Sequence, residues 1–599
     1  MTAVPVRETP FACWKDPDAW MERMKGPEWT ATLQKEDAIV KTILKTPSVQ
    51  KRLPEFTADF AVANDIRNSV PFECGPAYVT WHSNFMKTWT FRGSGIEHSA
   101  RDIVSNGEVV WVTVDKGDGA EAFELQCWTS ACKTKPSWSQ FPVGPDVALV
   151  GDRLYTLGVK NKLIYYQLWS CDALSGKHRT LVYEEKTPTV NLSLDKQPDG
   201  KVLFMKEQSQ EYTTFELTEK GLHPVNLKHP MTRRLVLPLG DYGVDFFWER
   251  LGLLITKQHG KKTLWHCNSK HSAKKLLEIP AGQIQIDPYA VAEGRLPCLV
   301  RVDTLNSFPV FYSLDSSCVL TLLFPVVPTG LEVERISAKS LEHTVVHGVL
   351  SWSKSQKPKY LLMVGYGAYG METAVGSIMK RWAPLVQNGW AIGYTFLRGG
   401  GDHTEEWAKA GRRDGRKRTL TDFKVLIKEA QRRLTIPAEH TVIYGRSAGG
   451  LLMGGTLSQN PYGSLMSAVY TEVPYVDELR TTTNSSLPLT ALEYGEFGNP
   501  AVRLEDFISV GLLSPADSAT TTAAPNILVL TRTAENDSQV YAYESVKWIR
   551  RLRSHDTKGD APKLCIVEKN QGHFTPPEKT IQQWAIDCSI LDAWVHKEL

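Results

Sequence analysis

The stretch Thr441-Val442-Ile443-Tyr444-Gly445-Arg446-Ser447-Ala448-Gly449-Gly450-Leu451-Leu452-Met453 constrains this chain more than any other. A short β-branched strand meets Gly-x-Ser-x-Gly-Gly, and an apolar run without proline then opens a helix. This is the form of a tight strand-to-helix turn that lifts a serine hydroxyl above a sheet edge. Gly445 and Gly449 give the turn steric room. The helix start behind Ser447 offers backbone N–H groups, that of Ala448 first, where an oxyanion would form. A Gly-rich strand-to-helix loop carries the same pattern, so the residues able to serve Ser447 must decide.

A serine is a poor nucleophile at neutral pH and needs a base within hydrogen-bond reach, itself oriented by an acid. On an α/β-hydrolase sheet these partners follow in the order serine, acid, histidine, on loops after later strands. The strand pattern at 527–530 runs into Thr533-Ala534-Glu535-Asn536-Asp537 directly before a helix. The pattern at 563–567 runs into Asn570-Gln571-Gly572-His573-Phe574. Asp537 is the acid candidate, with Glu535 an alternative further from the helix start; Asp537 also suits an N-cap for a helix opening at Gln539. Of 15 histidines, His573 is the one placed after the strand where the topology requires a base. A second oxyanion donor could come from Gly365-Tyr366-Gly367-Ala368-Tyr369-Gly370, which otherwise reads as an aromatic turn after the strand ending at Val364.

The surrounding pattern supports such a sheet. From about 336 to 599 strands and helices alternate: Tyr360-Leu361-Leu362-Met363-Val364, the run from Trp390, a helix at 421–434, Ala468-Val469-Tyr470, and helices at 540–552 and 581–595. At 599 residues the chain exceeds one compact core. Residues 61–335 read as a second, all-β domain of short strands between Gly-Asp, Asp-Gly and Asn-Gly turns. That span suits a propeller of six or seven blades at roughly 40–50 residues each, or two sandwiches. Residues 1–60 read as a helical segment too short to fold alone, starting near Asp16 and ended by Pro54.

Bulk properties exclude several classes. A net charge of +3 gives no electrostatic reason to invoke nucleic acid or a membrane surface, and the cluster Arg412, Arg413, Arg416, Lys417, Arg418 reads as a solvated face. The longest apolar run, near Cys318, is too short for a membrane span. The ten cysteines lack zinc spacing, so no metal or cofactor is expected, and without an apolar signal core after Met1 a cytoplasmic location with reduced thiols is expected. Nothing in the sequence sets an oligomeric state.

Together these motifs resemble the prolyl oligopeptidase family of serine peptidases. The matching stretches include Tyr366-Gly367-Ala368-Tyr369-Gly370, Leu397-Arg398-Gly399-Gly400-Gly401-Asp402, Gly445-Arg446-Ser447-Ala448-Gly449-Gly450, Glu496-Phe497-Gly498-Asn499-Pro500, Asn536-Asp537-Ser538-Gln539-Val540 and Gly572-His573-Phe574. Within the family they are most similar to oligopeptidase B and the prolyl endopeptidase-like proteins. The resemblance implies an α/β-hydrolase domain, a propeller of about seven blades capping it, and a leader packed on the hydrolase domain. It implies a Ser447–Asp537–His573 triad, an oxyanion hole from the Tyr366 hydroxyl and the Ala448 N–H, and short peptides as substrates. Glu493 and Arg398 are the substrate-binding residues it points to.

The chain departs from that pattern where basic side chains would be bound. Gly495 stands where a second acid is expected, Ala374 and Gly376 replace two aspartates, and Gln539 replaces the arginine of proline-specific members. The expected activity is a serine oligopeptidase, with cleavage after basic residues one possibility. An esterase or thioesterase with little peptidase action is the alternative, and a non-catalytic propeller scaffold is the remote one.

Overall fold

The computed structural model describes residues 5–599 apart from 66–69, 82–86, 116–121, 133, 161–162, 188, 198–200, 209–210, 226–241, 249–250, 268–272, 377–378, 488, 520–523, 557–560 and 576. Two compact units are present, one of residues 1–67 with 328–599 and one of residues 68–327.

The first unit is built on an eight-stranded sheet: β1 (Leu331–Lys339), β2 (Val345–Ser353), β3 (Tyr360–Val364), β4 (Trp390–Phe396), β5 (Thr441–Arg446), β6 (Ala468–Glu472), β7 (Leu528–Ala534) and β8 (Lys563–Glu568). Its order is β1-β2-β4-β3-β5-β6-β7-β8. The first two strands run antiparallel to their neighbours and the rest are parallel. Every residue of β3, β4, β6 and β7 is buried, which is why β3 reads as an unbroken apolar run and not as an alternating one; the charges that end β6 and interrupt β7, Glu472 and Arg532, are paired with Arg381 and Asp587. Helices cover both faces, the α/β-hydrolase arrangement expected from the alternation.

The leader forms α1 (Pro27–Leu44) and α2 (Pro47–Asp65), and the hydrolase helices used below are α3 (Met379–Gln387), α4 (Arg416–Leu434), α5 (Gly449–Gln459), α6 (Ala542–His555) and α7 (Pro577–Val595). Pro54 does not end the leader as the sequence reading supposed; it lies inside α2. Proline there gives up one helical hydrogen bond, and packing offsets that loss. Val49, Phe56 and Phe60 of α2 are buried, and the helix lies against α3 and α7. Met21 and Trp29 belong to the same apolar cluster as Phe423, Leu426, Trp548 and Ile549, so the leader completes the hydrolase core. The basic cluster is not wholly a solvated face either, because Arg416 turns inward and pairs with buried Glu478.

Ion pairs pin the leader in place. Asp16 lies 3.0 Å from the Lys547 ammonium and 2.8 Å from Arg551, and Lys547 is 2.7 Å from Asp477. All three side chains of the Asp16–Lys547–Asp477 chain are almost fully buried.

The second unit consists, among the described residues, of six four-stranded antiparallel sheets, spanning 72–100, 102–143, 147–184, 191–225, 243–279 and 283–322. Apolar clusters join the first sheet to the second, the second to the third, the third to the fourth and the fifth to the sixth; Trp89 and Phe91 of the first, for example, pack with Ile103 and Trp128 of the second. Tyr289, on the helix Pro288–Glu293 of the sixth sheet, packs against that same cluster, and Arg295 stands 3.7 Å from Glu73. The ring of a propeller is thereby closed through side chains, with each sheet built from consecutive strands. About seven blades were expected; the six observed are the lower number that the length of the span allows.

Removing one partner from a buried ion chain leaves the others uncompensated. Lys547→Met should therefore lower the unfolding free energy by about 3–5 kcal/mol, read as a lower urea midpoint. An unchanged midpoint would show that these charges do not hold the leader.

Candidate active site

Between β5 and α5 the chain turns through Ser447, whose φ of 52° is left-handed and rare for a residue with a Cβ. Three backbone bonds hold it there. The Ser447 N–H donates to the Glu472 carbonyl (2.9 Å), and the Ser447 carbonyl accepts from Gly450 (2.8 Å) and Tyr475 (2.9 Å). A Cβ on Gly445 would lie 2.5 Å from the Gly449 carbonyl oxygen, and one on Gly450 would collide with Pro474. Only glycine lets the helix approach this closely. The turn places Ala448, the residue before α5, beside Ser447 with the helix N-terminus behind it.

The other two triad candidates come to the same edge of the sheet. His573 Nε2 is 3.1 Å from Ser447 Oγ, and His573 Nδ1 is 2.7 Å from Asp537 Oδ2. Asp537 and His573 are both buried. Asp537 Oδ1 accepts the N–H groups of Gln539 and Val540 at 2.9 Å each, which fixes the carboxylate and leaves Oδ2 to the imidazole. The turn-forming role considered for Asp537 and the triad role are thus served by different oxygens. Helix α6 opens later than expected, at Ala542 and not at Gln539. The Asn536 N–H donates to the Gln571 carbonyl (2.9 Å), tying the acid loop to the histidine loop.

A pocket of about 210 Å³ opens beside Ser447. Its lining includes Tyr366, Tyr369, Tyr475, Leu489, Val540 and Tyr541, together with the carboxylates Glu493 and Glu544. Burial, then Glu496 and Glu493, pushes the Tyr366 hydroxyl pKa well up, so it stays a proton donor at neutral pH. Burial likewise pushes the Glu493 carboxyl up to about 7, against the opposing hydrogen bond from the Tyr369 hydroxyl at 3.0 Å. Glu544 is pushed up to about 8 by burial and by the charge of Asp477, although it accepts the N–H groups of Val476 (3.1 Å) and Asp477 (3.0 Å). Tyr475 is buried, and its hydroxyl has no hydrogen-bond partner among the described residues.

Of the residues singled out from sequence, Ser447, Asp537, His573, Tyr366, Ala448 and Glu493 converge here. Arg398 does not line this pocket. Its buried guanidinium is bound by Asp422 at 2.6 and 2.9 Å and reaches Glu342 at 3.2 Å, which makes it a brace between β4 and α4. Two residues of the site were not singled out. Glu544 enters from the first turn of α6, directly after the acid loop, and its place so near Asp537 was the available signal. Arg446 donates to the His573 carbonyl, and its signal was adjacency to Ser447.

Residues 377–596 match the model of the prolyl oligopeptidase family. Over 456 residues the chain is 26% identical to Protease 2 of Moraxella lacunata, covering 66% of this chain and 64% of that protein. It is 35% identical to the human prolyl endopeptidase-like protein over 171 residues, 28% of this chain and 23% of that one. The chain therefore spans less than two thirds of the length of these curated relatives. The structure of oligopeptidase B from Leishmania major superposes with a TM-score of 0.83 at 17% identity, covering 98% of this chain and 95% of that one. That likeness is one of fold, and it extends over both units. The family resemblance drawn from the motifs holds.

Proposed function

We propose that this chain is a serine oligopeptidase that cleaves short peptides through an acyl-enzyme and accepts a basic side chain in the pocket beside Ser447. The observation that carries the reading is the file of Ser447 Oγ, His573 and Asp537 at 3.1 and 2.7 Å, opening onto a pocket with a carboxylate in its wall. Both of the curated relatives described above bear protease or endopeptidase names, and the superposed fold belongs to an oligopeptidase B.

In this reading His573 Nε2 takes the Ser447 proton as Oγ attacks the scissile carbonyl. Asp537 keeps Nδ1 protonated and steadies the imidazolium that forms. The negative oxygen of the tetrahedral intermediate is met by the Ala448 N–H and the Tyr366 hydroxyl, both of residues lining the pocket beside Ser447. His573 returns the proton to the departing amine, and water repeats the sequence to release the acyl group. No cofactor enters.

The specificity rests on Glu493, with the Tyr475 hydroxyl as a further polar contact for a guanidinium or ammonium. Glu544, a second carboxylate in the same pocket wall, supports this reading. A cytoplasmic location belongs to the same proposal, in keeping with eight cysteines buried as ordinary core residues.

A panel of Arg-, Lys- and Pro-reporting peptides beside an acyl thioester tests the activity. Cleavage after Arg or Lys is expected, abolished in Ser447→Ala; turnover of the thioester alone would overturn the peptidase reading. Glu493 is neutral below its pKa of about 7 and charged above it. Hence kcat/KM for basic peptides should rise as pH passes upward through 7, relative to a peptide with a neutral side chain at the same position. A parallel profile for both peptides would remove Glu493 from the subsite. For the oxyanion hole, Tyr366→Phe should lower kcat by roughly 10²–10³ with KM little changed. An unaltered kcat would exclude that hydroxyl from the reaction.

A further inference from the structure

Arg446 fills the variable position between Gly445 and Ser447, at the last residue of β5. In the parallel register with β6 it lies opposite Glu472. Its Nη1 is 3.3 Å from Glu472 Oε2, its Nη2 donates to the backbone carbonyl of His573, and its guanidinium carbon lies 5.8 Å from the centre of the Phe574 ring. One side chain thus touches the strand of the nucleophile, the neighbouring strand and two residues of the histidine loop.

The anchor for these contacts is unusually firm. Glu472 accepts Arg381 at 2.6 and 3.1 Å, the Tyr444 hydroxyl at 2.9 Å and the Tyr470 hydroxyl at 2.8 Å. Burial alone would raise its carboxyl, yet Arg381 and then Arg446 hold it down at about 2. Its own backbone carbonyl accepts the Ser447 N–H at 2.9 Å. Glu472 therefore fixes Ser447 through its backbone and Arg446 through its side chain.

Among the described residues the histidine loop is tied to α7 by the Gln583 amide, which donates to Gln571 at 3.0 Å, and to the other two parts of the site by two further bonds. The Asn536 N–H bond to Gln571 joins it to the acid loop, and Arg446 joins it to the nucleophile. Without the Arg446 bond, His573 keeps its partner Asp537 and the loop keeps its bonds to Asn536 and α7, but the link from the His573 backbone to the strand of Ser447 is lost. We infer that Arg446 is a positioning residue, clamping the His573 carbonyl to Glu472 so that Nε2 stays within reach of Ser447 Oγ. The inference rests on the triad reading above. Arginine suits the task because its planar fork serves two partners at once, whereas a lysine ammonium is a single point of charge.

The test uses the full chain, a fluorophosphonate probe and a cleaved peptide, with Arg446→Met and Arg446→Lys. An imidazole displaced by about 1 Å is expected to slow Ser447 labelling and kcat by about 10²-fold, with KM within about twofold of wild type. Arg446→Lys should recover part of the rate. The low-field proton resonance of the His573 Nδ1–H bonded to Asp537 should persist in both variants, because that pair keeps its own tether. Labelling of Arg446→Met within about twofold of the wild-type rate would overturn the inference. So would slow labelling accompanied by loss of the low-field resonance, which would mean general loosening and not displacement from Ser447. A wild-type chain that the probe does not label would fail the triad reading itself, and this inference with it.

Discussion

Ser447 sits in a left-handed backbone conformation that costs on the order of 1–3 kcal/mol for a residue with a Cβ. The surrounding structure must hold it there, and much of the hydrolase unit can be understood as that restraint. Parallel pairing of β5 with β3 and β6 fixes the strand before the turn, and the carbonyl of Glu472 catches the Ser447 N–H as the strand ends. Glycines at 445 and 450 let α5 come close enough for its N-terminus to stand behind the serine. In the proposed reaction the strain has a chemical use: it exposes a hydroxyl where a helix end, an imidazole and a tyrosine converge.

The same economy governs the charges. Buried carboxylates occur in two electrostatic settings within a short distance of one another. Glu472 is surrounded by donors and remains ionised, so it can act as a rigid anchor. Glu493 and Glu544, beside the pocket, are raised to about 7 and about 8, because burial outweighs the hydrogen bonds they accept. The difference is a cation: Arg381 and Arg446 face Glu472, whereas Glu493 and Glu544 are met by neutral donors and by other carboxylates.

Much of this was legible in the sequence, for identifiable reasons. Strands such as Tyr360–Val364 are buried on both faces and announce themselves as continuous apolar runs. The order of Ser447, Asp537 and His573 follows from a topology in which each loop is preceded by its strand. What was missed depends on where side chains go after the chain has folded. Arg398 lies in a matching motif, yet Asp422 claims its guanidinium. Arg446 reaches a carbonyl 127 residues away in the chain, and Glu544 enters the pocket because α6 starts at Ala542, a boundary set by the loop around Asp537. Pro54 obeyed its neighbours more than its own preference, because three buried apolar side chains of α2 offset the lost hydrogen bond. The blade count could be bounded by length alone and not assigned, since six and seven sheets make the same local pattern.

The leader has a consequence for the order in which this chain can assemble. Its buried partners, Lys547 and Arg551 for Asp16 and Asp592 for Arg52, lie more than five hundred positions downstream. The six sheets described in residues 68–327 pair only strands of that unit. During synthesis the propeller can therefore close while the leader still waits for its core. The two helices that begin the chain are among the last parts to find their place, and the hydrolase unit becomes complete only when α6 and α7 have been made. A chain cut short near its end would still contain every strand of its propeller, yet its first two helices would have lost the surface that holds them.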